Sequence, residues 1–249
     1  MIKATLEKVI NEDMAEIWQI LKPDERRAVA ENLQIHNFKK NQLIYAEGEQ
    51  PEYLWVLLKG KVKKTKEGVG GRVQIIRLIR PVQYFGYRAF FAEEPYVSSA
   101  LAFEPSTLGA IPLTLVKSLI DQNIQLAWFF IHELSHNLGG SDTRIVNLTQ
   151  KHIRGRLAEA LIVLLDNYGY EDDNCTLKIY MAREDLANLS NMTTSNASKS
   201  STNPNCAKSR NSAKPLRFKE ICTQPNEAVR PNCRFAGVDN DFLPTHTFP

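Results

Sequence analysis

The chain has 249 residues, of which 43% are hydrophobic, and a formal net charge of +3 at pH 7. This length allows one large or two modest hydrophobic cores, and no apolar run is long enough to span a bilayer. Because the N-terminus lacks the basic and apolar regions of a secretory signal, we expect a soluble, cytoplasmic protein with no membrane partner. The small net charge excludes recognition of nucleic acid by overall charge, so any such surface has to be local.

The sequence of residues 13–112 predicts two helices followed by several strands. Residues 13–35 have helical apolar spacing, interrupted at Lys22-Pro23-Asp24, which predicts two short helices. From Phe38 to Pro112 the spacing is that of strands, each ended by turn residues. The predicted strands are FKKNQLIYAEGE, YLWVLLKGKVKKTKE, RVQIIRLIR, YFGYRAFF, VSSALAFE and TLGAIP. Short strands at near-regular intervals predict a small antiparallel barrel or roll.

Residues 122–149 return to helical spacing, with apolar or small residues at alternating steps of four and three. This is the 3.5-residue period of a seam between two paired helices, so it predicts a dimerisation helix; a helix packed within its own domain is the alternative. Gly139 and Gly140 predict a bend or a soft point in its middle. The predicted seam consists of Ala127, Ile131, Leu134, Leu138, Ser141, Ile145 and Leu148.

A helix-turn-helix pattern follows the long helix. It is preceded by the helix HIRGRLAEALIVLLDNYG, which Gly169 is placed to cap, and by the strand LKIYM. The segment AREDLANLSNMTTSNASK then predicts a short helix, a turn at residues 190–192 and a second helix capped by Thr193. Ala187 is small enough for close helix packing, and Asn191 tolerates a left-handed turn. An ordinary helical hairpin would give the same pattern.

In this order the segments resemble the Crp/Fnr family of bacterial transcription regulators, typified by the cyclic AMP receptor protein. The resemblance covers roughly residues 20–199. FKKNQLIYAEGEQPEYLWVLLKGKVK resembles the first strands of the family's β-roll, and YFGYRAFFAEEPYVSSA occupies the place of its phosphate-binding cassette. The long helix and AREDLANLSNMTTSNASK follow at the family's spacing.

The resemblance implies an α+β fold with an N-terminal antiparallel β-roll, a cyclic-nucleotide-binding-like jelly roll, at residues 1–121. A dimerisation helix at 122–149 and a winged helix-turn-helix at 150–199 would follow. The implied function is effector-responsive binding of a pseudo-palindromic operator in double-stranded DNA by a homodimer, with RNA polymerase as a further candidate partner. The sequence shows no nucleophile–base pair, glycine-rich phosphate loop or paired carboxylates, so we expect no enzymatic activity.

The cassette departs from the cyclic-nucleotide pattern. Where the resemblance implies a glutamate for the ribose and an arginine for the cyclic phosphate, this chain has Tyr87 and Ser98. Loss of that arginine removes a contact of about 1.5–3 kcal/mol, which argues against canonical cAMP binding. Arg88 either serves a different anion or is a surface arginine beside a filled pocket. The predicted pocket for an unidentified small-molecule effector comprises Phe85, Gly86, Tyr87, Arg88, Ser98, Ser99 and, on the seam helix, Ser141.

Other sensors of this family carry an iron–sulfur cluster or haem, and the sequence argues against both. A cluster needs cysteines near the N-terminus, whereas the first is Cys175 and no CxxC pair occurs. For haem, the only sensor-side histidines are His36, His132 and His136. His132 and His136 are four residues apart on a helix but lack a third ligand, so we predict no metal site.

The resemblance places DNA recognition at the start of the second helix of the helix-turn-helix. Thr194, Ser195 and Lys199 occupy its base-contacting positions, with Asn196 between them, and Arg183 occupies a phosphate-contacting position. The cap residue Thr193 completes the predicted DNA-binding set.

The apolar period of the second helix stops after Lys199. The sequence SSTNPNCAKSRNSAKP is polar and contains Pro204, so it cannot continue the helix. We therefore expect a truncated winged helix-turn-helix, followed by a disordered or non-native tail at residues 200–249. The alternative function is a dimeric effector-binding sensor or interaction module that has lost sequence-specific DNA binding.

Overall fold

A computed structural model describes residues 15–172 and 176–196, and the backbone of residues 214–217. The chain divides into two units between Val146 and Asn147. The first unit begins with helices α1 (Ala15–Ile20) and α2 (Pro23–Asn32). Pro23 takes the first position of α2, where a missing N–H costs nothing, so the predicted break is confirmed.

Eight strands follow the two helices and form two antiparallel sheets. They are β1 (Gln34–Phe38), β2 (Leu43–Tyr45), β3 (Tyr53–Lys59), β4 (Val62–Glu67), β5 (Val73–Ile79), β6 (Tyr84–Phe85), β7 (Ser99–Ala102) and β8 (Ser106–Pro112). One sheet has the order β1-β8-β3-β6 and the other β2-β7-β4-β5. The predicted antiparallel roll is confirmed.

Strand β3 separates the two cores of this unit. Trp55 and Leu57 pack between the sheets, in the core that also holds residues of β2, β4, β5 and β7. Leu54, Val56 and Leu58 point the other way and pack against helices. A strand buried on both faces has no polar side chain to alternate with apolar ones, which explains the continuous apolar run YLWVLL.

One predicted strand is wrong over most of its length. In YFGYRAFF, β6 ends at Phe85, and Tyr87–Phe91 form a short helix, α3. Gly86 separates the two elements with φ at 93°, a conformation that residues with a Cβ rarely adopt. A Cβ at Gly86 would also lie 2.9 Å from the Tyr53 carbonyl oxygen and 3.0 Å from Trp55 Cδ1. The glycine therefore turns the chain from strand to helix.

The roll is followed by α4 (Leu113–Gln122) and by the long helix α5 (Ile124–Gln150). Helix α5 runs for 27 residues without interruption through the glycine pair, so no break occurs there. Its buried residues, Leu126 and Phe130, join the core between the helices and the outer face of the roll. None of the described helices is long and apolar enough to cross a bilayer.

The second unit contains α6 (Ile153–Tyr168), β9 (Thr176–Met181) and α7 (Arg183–Leu189), and residues 194–196 begin another helix. Gly169 ends α6 with φ at 68°, and its N–H donates to the Leu165 carbonyl at 2.7 Å, which confirms the predicted cap. The core of this unit contains the fully buried Leu161, Leu164 and Ile179.

A tenth strand, β10 (Lys214–Arg217), pairs antiparallel with β9. The prediction of a disordered tail is wrong for these four residues, because strand pairing uses backbone groups and does not require an apolar alternation. The rest of residues 200–249 and Lys199 lie outside the described residues. The predicted truncation of the winged helix-turn-helix lies there as well.

Candidate functional site

The cassette forms one wall of a small cleft in the first unit. The cleft measures about 220 Å³, including its open mouth, and its lining comprises Tyr45, Lys64, Gly86, Arg88, Ala89, Tyr96, Val97 and Ser98. Much of this volume is open to solvent, so the enclosed part of the cleft has room for only a very small ligand.

Three of the predicted effector-pocket residues line this cleft: Gly86, Arg88 and Ser98. Arg88 is exposed, and its guanidinium forms an ion pair with Glu94 at 2.5 Å. Ser98 is buried in the wall. Arg88 thus lies at the surface and at the rim of the cleft.

The other predicted pocket residues do not line the cleft. Phe85 is buried between the sheets, and Tyr87 is buried in the core against α5. The Ser99 hydroxyl accepts a hydrogen bond from the Glu47 backbone N–H at 3.0 Å. Ser141 lies on the exposed side of α5, where its hydroxyl donates to the Asn137 carbonyl at 2.9 Å. The structure of one chain therefore does not bring Ser141 to the cleft.

Two tyrosines in the cleft were not predicted from the sequence. The rings of Tyr45 and Tyr96 are stacked, with centroids 3.7 Å apart and planes 15° apart. Tyr45 is 4% exposed, and its hydroxyl has no hydrogen-bond partner among the described residues. Burial raises the pKa of Tyr45 well above its ordinary value, so the hydroxyl keeps its proton and remains a donor.

Lys64 was also missed, and it is the basic group in the wall that β4 supplies. It lies directly opposite Arg77 of β5 in the antiparallel pairing. Burial, and then the positive charges of Arg77 and Arg88, lower the pKa of Lys64 from 10.5 to about 8. The sequence did contain a signal for Lys64. Side chains alternate between the two faces of a strand, so in VKKTK one of the adjacent lysines must point inward.

Two contacts tie the long helix to the cassette and to the roll within the first unit. Asn137 donates from Nδ2 to the Tyr87 hydroxyl at 3.1 Å. Arg144 donates to the carbonyls of Ile75 and Ile76 on β5, at 2.6 and 3.2 Å. Helix α5 is therefore attached both to the cassette and to the strand that carries Arg77.

The predicted seam of α5 is partly uncovered in the single chain. Ile131, Leu138 and Ile145 are 48%, 64% and 60% exposed, although they are large apolar side chains. The seam residues Ala127, Leu134 and Leu148 are half-buried. A surface of this kind loses contact with water only when another apolar surface covers it.

A turn follows α7 at the position that the sequence predicts. Leu186, Ala187 and Leu189 of α7 are buried. Asn191 has φ at 51°, and the Met192 N–H donates to the Ala187 carbonyl at 3.0 Å.

Thr193 begins the second helix as predicted, because its hydroxyl accepts a hydrogen bond from the Asn196 N–H at 3.3 Å. Arg183, Thr193, Thr194 and Ser195 are exposed, and Asn196 is half-buried. Four of the predicted DNA-binding residues are therefore accessible to solvent.

The histidine pair on α5 is stacked, with the ring centroids of His132 and His136 6.5 Å apart. Within the described residues, no group of three or more histidine, cysteine or acidic side chains could hold a metal ion.

Residues 35–123 match the family model of the cyclic nucleotide-binding domain. A CRP-like cAMP-activated global transcriptional regulator of Mycobacterium tuberculosis is 23% identical over 176 residues, which are 70% of this chain and 79% of that protein. The structure of FixK2 from Bradyrhizobium japonicum covers 67% of this chain and 81% of its own, at 19% identity and a TM-score of 0.61. That of the c-di-GMP responsive global regulator CLP from Xanthomonas campestris covers 72% of this chain and 89% of its own, at 14% identity and a TM-score of 0.63.

The two solved structures share the fold of this chain. The Mycobacterium relative is a transcriptional regulator and not an enzyme, as the sequence predicts for this chain.

Proposed function

Because this chain belongs to the Crp/Fnr family of regulators, we propose that it is an effector-responsive transcription regulator that binds a pseudo-palindromic operator as a homodimer. The observation that carries the proposal lies between Arg183 and Asn196, where helix α7 is followed by a turn and by the start of a further helix. The turn and the cap are formed, and the predicted DNA-contacting side chains Arg183, Thr194 and Ser195 are exposed. The first residues of such a second helix are the ones that reach base edges in the major groove.

The homodimer is supported by the uncovered apolar stripe of α5. Burial of apolar surface contributes roughly 25 cal/mol for each Å², so two copies of the helix would stabilise each other through Ile131, Leu138 and Ile145. Two paired copies would present two helix-turn-helix elements related by a two-fold axis. A two-fold dimer of this kind matches the symmetry of a palindromic site.

The effector response is supported by the contacts between the cassette and α5. Tyr87 reaches Asn137, and Arg144 reaches β5, so a change in the cassette or in β5 acts directly on the pairing helix. An effector that binds one arrangement of these contacts better than another would shift the population of dimers toward the arrangement it prefers.

The proposal is tested by measuring the affinity of the full chain for genomic DNA fragments as a function of salt. We expect one class of fragments to bind at least about a thousandfold more tightly than the rest, as specific sites do. Arg183→Ala should weaken binding to all fragments and lower the salt slope by about 1, since one phosphate contact is lost. Thr194→Ala should instead change the preference among fragments.

Lys117→Ala is the matched control for Arg183→Ala, because Lys117 is an exposed basic residue on α4 in the first unit. This variant should bind DNA as the unaltered chain does. If a dimeric chain bound all fragments equally, the result would contradict the proposal of a regulator. It would favour the alternative of a sensor or interaction module.

A further inference from the structure

Four residues lie in one row across the sheet that forms the wall of the cleft. Tyr45 of β2 pairs with Ala100 of β7, Ala100 pairs with Lys64 of β4, and Lys64 pairs with Arg77 of β5. Side chains of directly paired residues point to the same face of a sheet. The Tyr45 hydroxyl, the Lys64 ammonium and the Arg77 guanidinium are therefore on one face, and the small side chain of Ala100 leaves space between the first two.

This row is costly for the fold. Like charges directly opposite each other on paired strands are destabilising, and Lys64 and Arg77 are such a pair. Burial adds to the cost, as the lowered pKa of Lys64 shows. The buried Tyr45 hydroxyl lines the cleft without a partner among the described residues, which is a further cost. Groups that destabilise a fold together are frequently retained for binding.

The polar side chains in this part of the cleft are hydrogen-bond donors. Lys64 and Arg88 offer only N–H groups, and Tyr45 and Ser98 offer hydroxyls. None of the described lining residues is acidic, and Glu94 lies outside the lining with Arg88 as its partner. A ligand that accepts hydrogen bonds and carries negative charge complements all of these groups.

The size of the cleft limits this ligand. Its volume of about 220 Å³ includes space that is open to solvent, so the enclosed part is much smaller. The stacked rings of Tyr45 and Tyr96 occupy part of the space beneath the cassette. A small acid fits this volume better than a nucleotide with its base and sugar.

We propose that the cleft binds a small carboxylate or phosphate anion, held by the Lys64 ammonium together with the Tyr45 hydroxyl and the Arg88 guanidinium. The anion would neutralise the repulsion between Lys64 and Arg77 and give the Tyr45 hydroxyl its missing partner. This inference rests on the proposed function, in that it gives the effector cleft its ligand class. In this proposal, Lys64 of β4 takes the place of the cassette arginine that the resemblance implies for the cyclic phosphate.

Calorimetric titration of the full chain tests the inference, with inorganic phosphate and succinate as the two probes and cAMP as the competitor. We expect one of the two probes to bind saturably, and the one that binds identifies the source of the negative charge. Lys64→Met should weaken this binding by about tenfold or more, because a charge-assisted contact is lost. Tyr45→Phe should weaken it about fivefold while leaving the ring in place.

Lys63→Met is the matched control, since Lys63 is the neighbour of Lys64 on β4 but lies over the Phe103 ring instead of in the cleft. Its affinity for the probe should stay within about twofold of that of the unaltered chain. Equal binding by Lys64→Met and the unaltered chain, or binding of cAMP but of neither probe, would overturn the inference.

The two proposals fail separately. If the chain dimerises and selects DNA fragments but binds neither probe, the anion site is refuted and the proposal of a regulator stands. If the chain binds a probe through Lys64 but selects no DNA, the proposal of a regulator is refuted and the anion site stands.

Discussion

The hydroxyl of Tyr87 and the side-chain amide of Asn137 lie 3.1 Å apart and join the cassette helix α3 to the long helix α5. The Tyr87 ring also packs on Phe130 of α5, with centroids 5.2 Å apart. Burial raises the pKa of Tyr87 to about 12, so the hydroxyl keeps its proton throughout the physiological range. The cassette is therefore attached to α5 by one polar and one apolar contact.

Tyr87→Phe removes the polar contact and keeps the ring. We expect the free energy of unfolding to fall by about 1 kcal/mol, since one largely buried hydrogen bond is lost. Chemical denaturation measures this change. Tyr180→Phe is the control, because Tyr180 is 53% exposed and its substitution should change the free energy by less than about 0.5 kcal/mol. Equal effects in the two variants would show that the contact with Asn137 adds no stability.

Gly86→Ala and Gly139→Ala should have opposite effects. At Gly86 the positive φ and the short distance to the Tyr53 carbonyl oxygen predict a loss of at least about 1–2 kcal/mol. At Gly139, inside α5, a Cβ would meet nothing within 4 Å, and alanine should stabilise the helix by roughly 0.5–1 kcal/mol. Thermal unfolding measures both changes. A destabilised Gly139→Ala variant would indicate that α5 is not continuous at the glycine pair.

Lys64→Met should stabilise the chain at pH 7, because the buried charge and its repulsion from Arg77 disappear. The pKa of Lys64 is about 8 in the folded chain, against an ordinary value of 10.5 for a solvated lysine, which applies to the unfolded chain. Between these values the unfolded chain binds more protons, so the stability of the unaltered chain rises with pH. The advantage of Lys64→Met should therefore shrink from pH 8 to pH 10.5. Melting temperatures across this range measure the effect, at roughly 2–4 °C per kcal/mol.

The Lys63→Met control also distinguishes an effect of the placement of Lys64 in the cleft from an effect of net charge. Lys63→Met removes one positive charge from the same strand. If its melting temperature followed that of Lys64→Met at every pH, the effect would come from net charge and the placement of Lys64 would be irrelevant.

Leu138→Glu and Ile145→Glu should each convert the proposed dimer to monomers. Both residues lie on the exposed apolar stripe of α5, and an unpaired carboxylate in a helix seam costs several kcal/mol. We expect the dissociation constant to rise on the order of 100-fold or more, as measured by sedimentation. His136→Glu is the control, since His136 is exposed on α5 but lies off the stripe. Dissociation of that variant, or a dimer of Leu138→Glu, would place the interface elsewhere.

Much of the fold could be predicted because its signals are local. The break at Pro23, the alternation along the strands and the cap at Gly169 each depend on a few neighbouring residues. The cassette helix α3 could not be predicted in this way, because Gly86 and the aromatic residues on each side of it read equally well as a strand with a bulge.

The candidate cleft was predicted only on its cassette side. Gly86, Arg88 and Ser98 were found through the family pattern, which says nothing of Lys64 on a separate strand. A lysine in a strand usually points to solvent, and only the pairing of β4 with β5 and β7 shows that Lys64 does not. Ser141 was placed in the pocket by resemblance, and in one chain it lies on the exposed side of α5.

The pairing of β10 with β9 has a consequence for shortened forms of this chain. A chain that ends before Lys214 would leave the backbone N–H and C=O groups along that edge of β9 without their strand partner. An open edge of this kind templates aggregation and strand exchange between molecules. Removing the polar tail would therefore make the second unit more prone to aggregation.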